Sequence, residues 1–212
     1  PTVNYSQGDK LTTKAAYAQA TLDFGAFSPA LAGLKLTGGI RRTHDRRQDY
    51  LNRYFVDLPG QPCQYVPGSN PDCRYDFPAK SFKATTYTLG LNYQVSEASM
   101  LYATMRRGFK SGGFNTQAPP SASYSVFGPE QVDDIEIGAK TRTHLGGMPV
   151  SASVAVFRDK FKDIQRVLLF QVDGNLATYI VNASQATIKG VEAQVDINPT
   201  PELRFGARYS YL

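Results

Sequence analysis

The chain has 212 residues, a formal net charge of +5, 42% hydrophobic and 12% aromatic content, with 13 Tyr, 12 Phe and no Trp. Its mean hydropathy is −0.33, and no run approaches the roughly 20 apolar residues of a membrane helix, which excludes helical spanning. A membrane β-barrel stays open, because its strands expose apolar residues only at alternate positions. Lys and Arg are scattered instead of forming a stripe with a reading element, which argues against nucleic acid as a partner.

The first alternating run is about Lys14 to Phe24, with Ala16, Ala18, Ala20, Leu22 and Phe24 on one face and Tyr17, Gln19, Thr21 and Asp23 on the other. Period two over that length predicts a strand. Ser28 to Gly33 turns the chain, and Leu34, Leu36, Gly38 and Ile40 alternate with Lys35, Thr37, Gly39 and Arg41 in a second strand. From His44 to Lys80 the pattern dissolves among Pro59, Pro62, Pro67, Pro71 and Pro78. This predicts a long loop, and loops of that length are generally functional or disordered. Cys63 and Cys73 lie in it, ten residues apart in a polar setting. They read as a local disulfide, which needs an oxidising compartment. The nearest histidine, His44, is too remote to complete a zinc site.

The third strand alternates Tyr87, Leu89, Leu91, Tyr93 and Val95 with Thr86, Thr88, Gly90, Asn92 and Gln94. Ser96 to Ser99 is a tight turn, and Leu101 to Met105 returns toward Arg106 and Arg107. Gly108, Gly112 and Gly113 follow, where positive φ is expected as the strand gives way to a loop. A fifth strand carries Ile135, Ile137 and Ala139 against Asp134, Glu136 and Lys140; His144 to Gly147 turns it into a sixth over Val150–Lys162. Asp163 to Ala183 is again long, and Val167 to Phe170 is expected to extend the sixth strand, with Asp173-Gly174-Asn175 as the tip. A seventh strand, Val191 to Ile197, turns at Asn198 to Glu202 into an eighth, Leu203 to Tyr211.

Eight strands thus form four hairpins, with short links on one side and long ones on the other. The polar faces carry full charges near mid-strand (Glu136, Glu192, Arg208) that a dry core could not hold. A water-filled or plugged lumen can. The fold class is all-β: an antiparallel transmembrane β-barrel fragment.

The stretches YATMRRGFKSGGFN (102–115), PEQVDDIEIGAKT (129–141), VFRDKFKDIQ (156–165) and VNASQATIKGVEAQVDINP (181–199) resemble, in order, recurring pieces of the TonB-dependent outer-membrane receptors. The resemblance implies about eight strands of a larger barrel of the roughly 22-stranded type, and an integral place in the bacterial outer membrane. It also implies energisation by a TonB–ExbB–ExbD complex acting through an N-terminal plug. Residues 1–212 are expected to be a partial barrel domain, a fragment lacking the plug and the barrel ends. No enzyme activity, metal site or cofactor is implied. Uptake of ferric siderophore complexes is the expected role, with carbohydrate or vitamin B12 import, or an independent small barrel, as alternatives; a soluble carbohydrate-binding sandwich ranks last.

Ligand contacts are expected from long-loop aromatics (Tyr50, Tyr54, Phe55, Tyr65, Tyr75, Phe114, Tyr124, Phe127) and cations (Arg46, Arg47, Arg53, Lys110) facing an anionic ferric chelate. Outer-membrane lipid or lipopolysaccharide is a second expected partner. Asp134 and Glu136 read as lumen-facing charges on one strand face, not, with Asp133, as paired carboxylates for hydrolysis.

Overall fold

The computed structural model describes residues 3–55, 73–118, 122–172 and 175–212. Its strands are β1 (Val3–Asp23), β2 (Leu34–Phe55), β3 (Arg74–Asp76), β4 (Lys80–Gln94), β5 (Ser99–Lys110), β6 (Gly113–Phe114), β7 (Val126–Phe127), β8 (Glu130–Leu145), β9 (Met148–Lys162), β10 (Gln165–Val172), β11 (Asn175–Asn182), β12 (Ala186–Thr200) and β13 (Leu203–Tyr211). Eight long strands form one antiparallel sheet in the order β1-β2-β4-β5-β8-β9-β12-β13, with β3 added on β2. No helix of the described residues is long and apolar enough to cross a membrane.

The sheet is a meander, so each strand pairs with its chain neighbour among the long strands. Residues 24–33, 95–98, 146–147 and 201–202 link strands at one end; 56–79, 111–129 and 163–185 link them at the other. Gly146 and Gly147 (φ 59° and 84°) close one of the two shortest links, a two-residue turn with positive φ at both positions.

Side chains directly opposite one another share a face. One register row runs Leu22, Leu36, Leu91, Ala103, Ile137, Val156, Val191, Tyr211. The other face carries Asn92, Tyr102, Gly138, Ala155, Glu192 and Ser210 in one row. On the apolar face the large side chains are open to the surroundings, with Ile137 62% and Val156 56% exposed. The buried apolar residues (Leu51, Phe77, Phe82, Phe127, Ile164 and Tyr179 among them) gather at the long-link end. The hydrophobic effect would bury so continuous an apolar face in water; its exposure suits a hydrocarbon surrounding.

Four elements differ from the sequence expectation. β1 and β2 stay in unbroken register from Asp23↔Lys35 to Val3↔Phe55, so the strand continues well past His44. A membrane strand needs only about 9–11 residues; beyond that neither face meets hydrocarbon, so apolar alternation disappears while backbone pairing continues the ladder. Residues 165–182 do not extend β9 but form a separate ribbon, β10 with β11, set off by Asp163 at φ 53°; residues 173–174 at its tip lie outside the described residues. β12 runs through Asn198 and Pro199 to Thr200, with a register shift between Ile197 and Thr200. Finally, Gly108, Gly112 and Gly113 are not among the positive-φ residues. Gly112 is needed for space instead: a Cβ there would collide with the Phe127 carbonyl and the Phe82 ring.

Candidate functional site

The long-link end is where the chain builds a packed, polar and aromatic surface. Asn115, at the end of the GGFN stretch, is buried. Its Nδ2 donates to the Tyr124 and Ile180 carbonyls (both 2.7 Å), and its Oδ1 accepts from the Ile180 N–H at 2.9 Å. Gln165 donates from Nε2 to the Ser111 and Gly128 carbonyls at 2.9 and 3.0 Å, while its own N–H reaches the Glu130 carboxylate at 2.9 Å. Asn182 brackets Gly128, accepting from its N–H at 2.5 Å and donating to its carbonyl at 3.0 Å, and also donates to the Asp163 carbonyl at 2.8 Å. One polar residue at the loop-side end of each recurring stretch, Asn115, Glu130, Gln165 and Asn182, therefore ties segment 111–129 to segment 163–185. Side-chain amides suit this because each supplies donors and an acceptor to stranded backbone groups.

An aromatic cluster sits on this clamp. Tyr124 stacks on Phe170 (5.9 Å, 8°) and packs at 4.9 Å against Tyr179, which lies 5.7 Å from Phe170. Burial raises the Tyr179 hydroxyl above its ordinary value, Tyr124 adds to the rise, and the Arg53 charge opposes it. A second group joins Phe114 to Phe77 at 5.3 Å and Phe77 to Tyr75 at 4.9 Å.

The arginine cluster divides by parity. Arg47 and Arg53 share the polar face with Asp45 and Asp49, whereas Arg46 shares the opposite face with Arg42 and is exposed. Arg47 lies 3.7 Å from the Asp9 carboxylate and reaches toward Gly113, where an added Cβ would come within 2.8 Å of its Nη1. Asp49 is 6% exposed with one carboxylate oxygen unpartnered. Burial, and then the facing Asp9 carboxylate, push its carboxyl up to about 7. Lys110 is exposed at the end of β5, opposite Glu130. Tyr54 is placed by its backbone alone, opposite Asn4. Thus Arg47, Arg53, Phe114 and Tyr124 come together at one end, and Arg46 stands apart from them.

Cys73 is buried and disulfide-bonded, and its carbonyl accepts from the Arg53 N–H at 3.1 Å. Cys63 and Tyr65 lie outside the described residues, so the Cys63–Cys73 pairing stands as a proposal. Sequence reasoning missed Asn115, Gln165, Phe170, Tyr179 and Asn182; Asn115, Gln165 and Asn182 carried a signal as polar residues at the loop-side ends of recurring stretches, whereas Phe170 and Tyr179 lie in none of them.

Below this end, the polar face is a wall of paired charges. The Tyr102 hydroxyl donates to Glu136 at 2.6 Å, and Arg106 bonds Glu136 at 2.9 Å and also Asp134. A recess of about 430 Å³ follows, lined by Tyr102, Glu136, Lys140, Glu192, Gln194 and Arg208. Such a face is solvated or covered by another polar body.

Comparison with known families is decisive here. The family described as TonB dependent receptor-like, beta-barrel matches residues 1–212, the whole chain. The chain belongs to the TonB-dependent receptor β-barrel family. This is a family of outer-membrane transport receptors. Among solved structures, the ferric yersiniabactin uptake receptor of Yersinia pestis superposes with a TM-score of 0.67 at 17% identity, over 98% of this chain and 28% of that one. The ferric-catecholate import receptor Fiu of E. coli K12 gives 0.54 at 18% identity, over 96% and 28%. The copper transporter OprC gives 0.68 at 14%, over 95% and 29%. No curated protein sequence matches. These likenesses establish the fold, and the receptor segment spans less than a third of each of those chains.

Proposed function

We propose that this segment is part of the barrel wall of an outer-membrane receptor that binds and imports an anionic ferric siderophore complex. The observation that carries the reading is the inward set at the long-link end: Arg47 and Arg53 on the polar face, beside the Tyr124–Phe170–Tyr179 cluster. Cations attract a negatively charged chelate, and stacked aromatics supply apolar surface to its organic framework. Long links on one side and short ones on the other match the extracellular and periplasmic ends of an outer-membrane barrel. Energy for release comes, in this reading, from a TonB–ExbB–ExbD complex acting on a plug domain carried elsewhere in the complete receptor.

The test is uptake of radiolabelled iron by cells carrying the complete receptor, supplied with a panel of ferric catecholate, hydroxamate and mixed chelates. Uptake of one class that falls at least tenfold in R47Q/R53Q, with unchanged receptor abundance, supports the reading. Uptake of none, with import of a maltodextrin or cobalamin instead, overturns it.

A further inference from the structure

The ribbon of β10 and β11 is closed along one edge and open along the other. Antiparallel partners alternate between pairs that exchange both backbone bonds and pairs whose N–H and C=O groups point away from the partner strand. The Ala183 N–H donates to the Ile164 carbonyl at 2.9 Å, which fixes the phase at the base of the ribbon. Along the register, Arg166↔Val181, Leu168↔Tyr179 and Phe170↔Ala177 bond to each other, whereas Val167↔Ile180, Leu169↔Thr178 and Gln171↔Leu176 turn their backbone groups outward. On the β11 side the Asn115 side chain takes both the N–H and the carbonyl of Ile180. On the β10 side the Gln165 N–H is taken by Glu130. Beyond it the outward groups of Val167, Leu169 and Gln171 have no partner among the described residues.

The side chains of this edge are as open as its backbone. Val167 is 67% and Leu169 64% exposed, and Leu168 between them is exposed too. Free edges are normally blunted by lysine, proline or a bulge, and Val167 to Phe170 carries none of these. A two-stranded ribbon is marginal in water and gains stability from a third strand. This one is anchored on Tyr124 through Phe170 and Tyr179, which leaves the β10 edge free to receive it. The outward N–H and C=O groups alternate at backbone spacing, so a polypeptide strand satisfies them, and neither a hydrocarbon tail nor a compact metal chelate does. Arg166 sets the chemistry of that strand: it is exposed and has no ion pair among the described residues. An added antiparallel strand places one residue directly opposite it, where opposite charge is favourable.

We propose that the outer edge of β10 is a strand-addition site for an extended segment of another protein at the cell surface, one that carries an acidic residue within an apolar, β-branched run. The partner's place at the cell surface rests on the long-link end being extracellular. The pairing itself is independent of which nutrient the receptor imports.

The complete receptor in detergent is mixed with a fluorescent peptide of about six residues, in which valine and threonine alternate and one aspartate is placed to meet Arg166. Binding is read by fluorescence anisotropy, and amide hydrogen exchange of the receptor is followed in parallel. In the receptor alone, Val167 and Leu169 exchange freely while β11 protects Leu168 and Phe170. With the peptide at about ten times its Kd, exchange at Val167 and Leu169 slows about tenfold. A peptide N-methylated at the amides that face β10 does not bind, and methylation of the alternate amides leaves binding unchanged. R166E weakens binding about tenfold, because an attractive cross-strand pair becomes repulsive, and lysine in place of the peptide's aspartate restores it. Val167 and Leu169 already protected in the receptor alone would mean that its own chain closes the edge. Protection that grows with receptor concentration would mean that a second copy does. Either result overturns the inference. So does equal binding of the two methylated peptides, which needs no receptor variant, or unchanged binding by R166E, or no binding at about 1 mM peptide.

Discussion

Replacing Asn115 by Ala should loosen the long-link end while leaving the sheet intact. Three hydrogen bonds disappear: two to the Tyr124 and Ile180 carbonyls at 2.7 Å, and one from the Ile180 N–H at 2.9 Å. Asn115 is 8% exposed, so water does not readily replace the lost partners. At roughly 1 kcal/mol or more per bond, the clamp between the two segments should weaken by about 3 kcal/mol. That is about a hundredfold in the equilibrium for local opening, at about 1.4 kcal/mol per factor of ten. The assay is amide hydrogen exchange of the folded receptor in detergent, read at Ile180, whose N–H has the Asn115 side chain as its acceptor. Amides within the β8–β9 ladder serve as the internal reference and should not change. Asn115→Asp keeps an acceptor for Ile180 but sets a buried carboxylate oxygen against the Tyr124 and Ile180 carbonyls, so it should open at least as readily as Ala. Unchanged protection at Ile180 in a folded Asn115→Ala protein would refute the clamp.

Asp49 gives a pH prediction. Its carboxyl is raised from 3.8 to about 7 by burial first and the Asp9 carboxylate second, and it lies well beyond the membrane-spanning part of β2. A raised acid binds protons more readily in the folded state, so packing at this end is firmest below about pH 4 and weakens as pH rises through about 7. The full effect is at most roughly 4 kcal/mol, and less because Asp9 shares the proton. Asp49→Asn should therefore resist limited proteolysis at this end better than wild type at pH 8 and equally at pH 4; equal cleavage at both pH values contradicts this. Gly112→Ala should cost roughly 1–3 kcal/mol through overpacking against Phe127 and Phe82, seen as a lower folded fraction by heat-modifiable gel migration; wild-type migration would contradict it. A non-reducing tryptic digest should yield the single peptide 54–74, which carries both Cys63 and Cys73 and takes up alkylating reagent only after reductant; alkylation of both cysteines without reductant would end that proposal.

The sequence was legible where lipid and lumen impose opposite demands on adjacent residues. Ile135, Ile137 and Ala139 against Asp134, Glu136 and Lys140 fixed both the strand and its two faces, and the register bears this out. Beyond the span, where β2 passes Thr43 and reaches Phe55, both faces are polar and period two vanishes, so a paired strand read as loop. The ribbon of β10 and β11 escaped because local apolar character in Val167 to Phe170 does not say which strand it pairs with. Arg46 and Arg47 show the parity limit: adjacent in sequence, they must face opposite ways in a strand, and grouping them as one basic cluster overlooked that. The clamp of Asn115, Gln165 and Asn182 depends on contacts between remote segments, which no local pattern encodes.

The most direct test of the account is a spin-label scan along β8 in the complete receptor reconstituted in lipid. Single cysteines at positions 134 to 140 would be labelled and probed with oxygen, which partitions into hydrocarbon, and with a water-soluble nickel chelate. A barrel wall gives strict alternation, with Ile135, Ile137 and Ala139 open to oxygen and Asp134, Glu136 and Lys140 open to the chelate. Equal chelate access at all seven positions, or the opposite phase, would contradict a wall with one face to lipid and the other to the lumen.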